Sequence, residues 1–222
     1  KADLKLIFKD ALAVVHLAAL TDAEGSIDRP GDTRTVNVYG TSYVVEAAEC
    51  PLIFASTTSV YGPAFNPYVE SKRDAEALVA KKEDSIILRL GTIFGPSPGM
   101  RFHTAVNRFC WQAAKGEPLG VWALAWNQVR PYCALPDAVQ AIIATIKGQF
   151  DSKVYDVVTD HYKVSDIVAA IRHYMPAIVK FVDSPAMNQV SFKAGGKPFP
   201  LVRKDNLRTG IHETLKLLGA LH

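Results

Sequence analysis

Phe54-Ala55-Ser56-Thr57-Thr58-Ser59-Val60-Tyr61-Gly62, followed after a short link by Asn66-Pro67-Tyr68-Val69-Glu70-Ser71-Lys72, is the stretch that decides how this chain folds. Leu52 to Ala55 is apolar and stops in hydroxyl residues and a glycine, as a buried parallel strand does at the edge of its sheet. Open α/β sheets bind ligands at that edge. After Pro67 come helix formers and apolar Ala75, Leu78 and Val79, so Tyr68 and Lys72, four apart, share one helical face.

A free tyrosine keeps its proton up to pH ~10, but a neighbouring cation favours the phenolate. The Tyr68–Lys72 pair is therefore expected to take a proton from a hydroxyl near neutral pH, with Thr57 at the strand end holding that hydroxyl in line. Such a set serves oxidation of an alcohol to a ketone, the hydride leaving for a nicotinamide bound nearby. Among eight tyrosines one Tyr-x-x-x-Lys spacing is equally an exposed helix face. The order of strand, hydroxyl cluster, Gly62, proline and helix is what gives it meaning.

On Ser56–Gly62 and Asn66–Lys72 the chain resembles the extended short-chain dehydrogenase/reductases, the NAD-dependent epimerase/dehydratase family acting on nucleotide sugars. The likeness runs from His16 to about Leu215. It implies a Rossmann-like doubly wound parallel α/β sheet with a small C-terminal substrate lobe. Residues 1–95 and 133–160 are expected in the dinucleotide-binding domain, and 96–132 and 161–222 in the lobe. It also implies NAD, with NADP left open, and a nucleotide-diphosphate sugar. Thr57, Tyr68 and Lys72 become the catalytic set, Lys72 also holding the nicotinamide ribose. Leu17, Ala18, Ala19, Asn37 and Leu90 join Tyr68 and Lys72 as cofactor contacts.

Thr58, Thr92, Arg101, Asn107 and Arg130 are the expected substrate contacts. Arg101 and Asn107 lie in a stretch, 100–115, read either as a helix over a cleft, from which one of them could reach a diphosphate, or as a solvated helix face. Arg130, in Gln128-Val129-Arg130-Pro131-Tyr132, resembles the family arginine that contacts the nucleotide, with Pro131 in place of the usual acid. Thr92 stands where the family carries an asparagine. Dehydratases of the family carry Asp-Glu, or at least Glu, after the threonine. Here Thr58 and Ser59 hydrogen-bond but shuttle no proton at neutral pH, which points to an epimerase. A reductase, dehydrogenase or dehydratase of the same family is the alternative, and a non-catalytic nucleotide-binding homologue is the alternative of another class. The resemblance further implies a homodimer formed through the helices at 35–49 and 68–80.

A chain of 222 residues, 49% hydrophobic, suffices for one substantial core or a domain with a smaller lobe. A net charge of +3 with both signs interspersed gives no basic stripe, so nucleic acid is not expected. No apolar run approaches a membrane span and no signal peptide is seen, so the expected location is cytoplasmic. Cys50, Cys110 and Cys133 have unrelated spacings and read as small buried thiols. No metal is expected, because the histidines form no pair at ligand spacing and His212-Glu213 lacks a second histidine.

Along the chain, strands are expected at 11–19, 52–55, 86–90, 154–158 and 177–182. Helices are expected at 35–49, 68–80, 100–115, 134–147 and 207–218, with a further one capped by Ser165 and stopped by Pro176. Residues 21–33 read as a loop. The links 48–51 and 62–66 look short for the family. No Gly-x-x-Gly-x-x-Gly turn occurs, the glycines at 91, 95 and 99 being wrongly spaced. That turn is expected in residues outside this sequence; a chain truly beginning at Lys1 would hold a dinucleotide weakly.

Overall fold

The computed structural model describes residues 2–62, 66–148, 150–183, 191–200 and 207–221. In chain order the elements are α1 (Ala2–Phe8), β1 (Val14–His16), α2 (Gly25–Asp28), α3 (Pro30–Arg34), a π-helical turn (Thr35–Tyr39), α4 (Gly40–Ala47), β2 (Leu52–Thr57) and a 3-10 turn (Thr58–Tyr61). There follow α5 (Pro67–Val79), β3 (Ser85–Leu90), β4 (Thr92–Phe94), α6 (Ala105–Ala114), β5 (Leu119–Trp122), a second 3-10 turn (Ala123–Ala125) and β6 (Val129–Ala134). The chain ends with α7 (Leu135–Lys147), β7 (Val154–Val157), β8 (Asp160–Lys163), α8 (Val164–Arg172), β9 (Val179–Val182) and α9 (Leu207–Leu217).

β1, β2, β3 and β7 form a parallel sheet in that order. Leu52, Ile53 and Phe54 are all almost completely buried, which is why β2 reads as a continuous apolar run: both faces of a parallel sheet are covered. Leu52 and Phe54 pack with Val44, Ala75 and Val79 of α4 and α5. Ile53 points the other way, with Leu88, Tyr155 and Ala138 and Ala141 of α7. The lobe has its own core, in which Phe94, Phe109, Leu119, Ile167, Ile171 and Ile211 meet. Two small sheets build it, β4-β6-β8 and β5-β9.

Gly91 hands the chain from one sheet to the next. A Cβ there would lie 2.8 Å from the Tyr132 carbonyl carbon and 3.0 Å from the Cys133 nitrogen, so only glycine lets this crossing pass against β6. Helix α5 starts where Asn66 accepts from the Val69 amide at 2.9 Å and Pro67 takes the first helical position.

Several expectations need correction. The 21–33 stretch is not a loop but carries α2 and α3. Gly25 and Pro30 are first residues of helices, and at that position the amide proton that Pro30 lacks costs nothing. The strand expected over 11–19 pairs only at Val14–His16, and α6 begins at Ala105 rather than near Met100. Helix α8 starts at Val164, because the Asp166 carboxylate accepts from the Lys163 amide at 2.8 Å; Ser165 is inside the helix. Strands β4, β5, β6 and β8 were not anticipated. Finally, 191–194 stays on the lobe strands, with the Phe192 amide donating to Val129 O and the Ala194 amide to His161 Nε2, but 196–199 does not. The Asp156 amide donates to Lys197 O at 2.7 Å, the Phe199 amide to Asp156 O at 2.8 Å, and Phe199 joins the core beneath the main sheet. Of the two short links, 63–65 lie outside the described residues.

Candidate active site

The end of β2 meets the start of α5 at the carboxyl edge of the main sheet. Thr57 is buried there; its hydroxyl oxygen accepts from the Ser59 amide at 3.1 Å, and its side chain acts on the Tyr68 phenol in the lowering direction. The Tyr68 amide donates to Ser26 Oγ at 3.2 Å, which ties α2 to the same corner. Burial pushes the Tyr68 phenol above its ordinary range, and Thr57 and the charge of Arg101 offset only part of that rise.

Lys72 behaves differently from the sequence expectation. Only 3% exposed, its ammonium donates to Ala55 O at 2.6 Å and lies 4.1 Å from the centre of the Phe54 ring. A buried ammonium must find acceptors, and the nearest is a strand carbonyl. The charge acting on the phenol is therefore that of Arg101. Burial lowers Lys72 to about 8, opposed by the carboxylate of Glu76.

Arg101 donates to the Thr21 hydroxyl, closing one side of a cavity of about 240 Å³ lined by Ala19, Thr21, Ser26, Arg29, Thr33 and Arg101 among others. Ser26 lines this cavity and accepts from the Tyr68 backbone amide, while the Thr57, Tyr68 and Lys72 side chains are not part of its lining.

The other candidate residues divide. Leu17 and Ala18 are exposed and Ala19 is half-buried just past β1, offering small flat surface to a ligand. Leu90 and Thr92 are half-buried where β3 passes to β4. Asn37 is 1% exposed and its amide is consumed: Oδ1 accepts from the Leu20 amide, and Nδ2 donates to Leu20 O and Ser71 Oγ. It braces the cavity wall against α5 rather than facing a cofactor. Thr58 is 2% exposed and donates to Leu90 O at 3.2 Å, so it braces two strand ends. Asn107 accepts from the Gly95 amide and donates to Arg101 O, which makes it a support for the Arg101 loop. Arg130 sits on β6, 4.7 Å from the centre of the Phe192 ring, and lines no part of the cavity.

Sequence reasoning missed a buried polar chain behind Lys72. Ser56 Oγ donates to Glu76 Oε1 at 2.5 Å, and Arg89 grips both Glu76 oxygens at 2.9 and 2.6 Å. Arg89 also donates to the Tyr61 hydroxyl at 2.8 Å, and that hydroxyl donates to Asp156 at 2.8 Å. The signal was present: Arg89 interrupts an apolar strand, and a charge in such a place requires a buried partner.

A nicotinamide ribose fits what is present. Tyr68 and Lys72 lie at the sheet edge, and the open Leu17–Ala19 surface adjoins β1, the edge strand of the described sheet. The pyrophosphate has no glycine turn in this sequence to hold it.

The profile of the NAD dependent epimerase/dehydratase family matches residues 1–158. The chain belongs to this family. Curated relatives include a human dTDP-D-glucose 4,6-dehydratase, 27% identical over 188 residues, covering 71% of this chain and 51% of the relative. A UDP-glucuronate 4-epimerase of Thermodesulfobacterium geofontis is 27% identical over 168 residues, covering 65% of this chain and 51% of its own. The chain thus spans about half the length of these curated family members. Among solved structures, a Bacillus cereus UDP-glucuronic acid 4-epimerase carrying a Tyr-to-Phe substitution, in complex with a fluorinated UDP-glucuronic acid and NAD, superposes with a TM-score of 0.83 at 21% identity. The match covers 99% of this chain and 79% of that one. That likeness shows the Rossmann-like α/β fold expected of the family.

Proposed function

We propose that this chain carries the catalytic edge and substrate lobe of an NAD-dependent nucleotide-sugar epimerase. The observation that carries the reading is the placement of Thr57 at the end of β2 and of Tyr68 in the first turn of α5, at the carboxyl edge of the sheet. Thr58 and Ser59, where a dehydratase needs acids, support epimerisation over elimination. When bound, the nicotinamide supplies a hydride acceptor and then the donor that returns it. Thr57 holds the reacting sugar hydroxyl while Tyr68 takes its proton, and Tyr68 gives that proton back once the hydride returns to the opposite face. Lys72 is the residue that would hold the ribose.

A second reading names the sugar class. Arg101 and Arg29 line one cavity, and the Arg101 charge acts on the Tyr68 phenol, so its guanidinium suits a carboxylate on the sugar. Relatives named for UDP-glucuronate agree.

No helix among the described residues is long and apolar enough to cross a membrane, which agrees with the cytoplasmic location we infer. Val36, Tyr39 and Tyr43, exposed on one face of the helical stretch preceding β2, support a homodimer.

The test is to denature the purified full-length protein, assay released nicotinamide, and offer the intact protein UDP and dTDP sugars with and without a uronate carboxylate. A C4-inverted product with no net change in NADH supports the proposal. A dehydrated sugar or stoichiometric NADH would overturn epimerisation, and absence of bound nicotinamide would favour a binding homologue.

A further inference from the structure

Both backbone groups of Tyr68 are held by buried side chains whose other ends reach the wall of the Arg29 and Arg101 cavity. At the start of α5, Pro67 has no amide proton, the Val69 amide donates to Asn66 Oδ1 and the Glu70 amide to Asn66 O. The Tyr68 amide is left over by the helix's own cap, and it donates across to Ser26 Oγ at 3.2 Å. Ser26 is 3% exposed and its hydroxyl proton goes to Ala23 O at 2.7 Å, so toward Tyr68 it acts as the acceptor. On the other side, the Tyr68 carbonyl accepts from Ser71 Oγ at 2.7 Å. Ser71 accepts from Asn37 Nδ2 at 2.9 Å, and Asn37 grips both backbone groups of Leu20. Leu20 and Ser26 both line the cavity. Two hydrogen-bonded arms therefore run from its wall to a residue whose side chain lies outside its lining.

We propose that Ser26 is a positioning residue for Tyr68: from α2 it supplies the cap that α5 does not provide for itself, and it links what occupies the cavity to where the phenol stands. Its catalytic meaning rests on the reading of Tyr68 above. Helix α2 is a single turn, Gly25–Asp28, followed directly by Arg29. Gly25, Ser26 and Arg29 all line the cavity, so an anion held there by Arg29 and Arg101 bears on the same turn that carries the Ser26 hydroxyl. A one-turn helix has no length over which to absorb the movement. The shift passes to the Tyr68 amide, and because the phenol hangs from the first turn of α5, displacement of that turn displaces the general base.

The experiment is amide hydrogen exchange on the full chain with isotope-labelled tyrosine, the Tyr68 signal assigned by its loss in Tyr68→Phe. Exchange is read as the ratio of Tyr68 to Tyr155, a tyrosine of β7 that is 1% exposed and reports opening of the main sheet. Ser26→Ala is expected to raise that ratio about fivefold, the equivalent of a lost cap, and Ser26→Thr, which keeps the oxygen, to stay near the parent. Ser26→Cys, whose sulfur accepts only weakly, makes the same test where Ser26→Ala does not fold. Ser85→Ala is the control: Ser85 is 5% exposed and donates to Val79 O and Lys82 O at the far end of the same helix, so its loss lowers the melting temperature and leaves the ratio in place. In turnover, Ser26→Ala is expected to lower kcat by up to about 10²-fold, more than it raises KM, while Ser85→Ala leaves kcat unchanged. A ratio in the folded Ser26 variant no higher than in Ser85→Ala, or an unchanged kcat beside a raised ratio, would overturn the proposal. The exchange measurement needs no substrate, so its failure is distinct from failure of the epimerase reading.

Discussion

Thr57, the last residue of β2, and Tyr68, in the first turn of α5, stand at the carboxyl edge of the sheet, and the Thr57 side chain acts to lower a phenol that burial raises. A strand end and a helix start are the two stiffest places from which to present side chains to a shared point, so neither group needs to be gathered by substrate. Tyr68→Phe is expected to retain the fold and to reduce turnover about 10²- to 10⁴-fold, the usual worth of a general base. Steady-state rates beside a melting curve check it.

Arg101 acts on that phenol from the lobe. Removing its charge in Arg101→Gln leaves burial opposed by Thr57, so the Tyr68 titration moves further up. Phenolate difference absorbance, taken against Tyr68→Phe to isolate this tyrosine among eight, measures the shift. An unmoved titration would show that Arg101 does not reach the phenol in solution.

His16 makes stability depend on acid. Its Nε2 lies 3.0 Å from the Thr41 hydroxyl, whose own proton goes to Asn37 O, so Nε2 is the donor. The folded imidazole is lowered from 6.5 to about 4. The unfolded chain therefore binds the extra proton between those values, and stability present above pH 6.5 is lost as pH falls through the window. The loss is about 3 kcal/mol. Urea melts across that range are expected to show the slope, and His16→Asn to flatten it.

Gly91→Ala drives a methyl group into the backbone of β6 and is expected to cost about 1–3 kcal/mol, as overpacking does. Gly99→Ala, with nothing within 4 Å, is the control, expected within about 0.5 kcal/mol of the parent.

Arg89→Met strands the buried Glu76 carboxylate and removes one partner of Tyr61. Breaking such a pair costs about 3–5 kcal/mol. Denaturant midpoints at neutral pH measure the loss.

Local chemistry made much of this legible. The apolar run into Ser56–Gly62 marks β2, and Asn66-Pro67 marks the start of α5, because capping and burial act within a few residues. The strands of the lobe left no such trace. Thr92–Phe94 and Val129–Ala134 pair with each other from far apart in the chain, and three to six residues carry too little periodicity to announce a strand. The Thr21–Thr33 helices were hidden because glycine and proline serve equally to break a helix and to begin one.

The candidate site divides along the same line. By itself the sequence determined which residues share the edge: Thr57, Tyr68 and Lys72 follow from strand, turn and helix, each a local consequence of side-chain type. Only the tertiary structure decided where their charges go. Lys72 turns to Ala55, Arg101 arrives from the lobe to act on Tyr68, and Asn37, Thr58 and Asn107 are consumed as braces. A buried polar group takes the partner that packing brings within about 3 Å, and which partner that is depends on distant segments meeting.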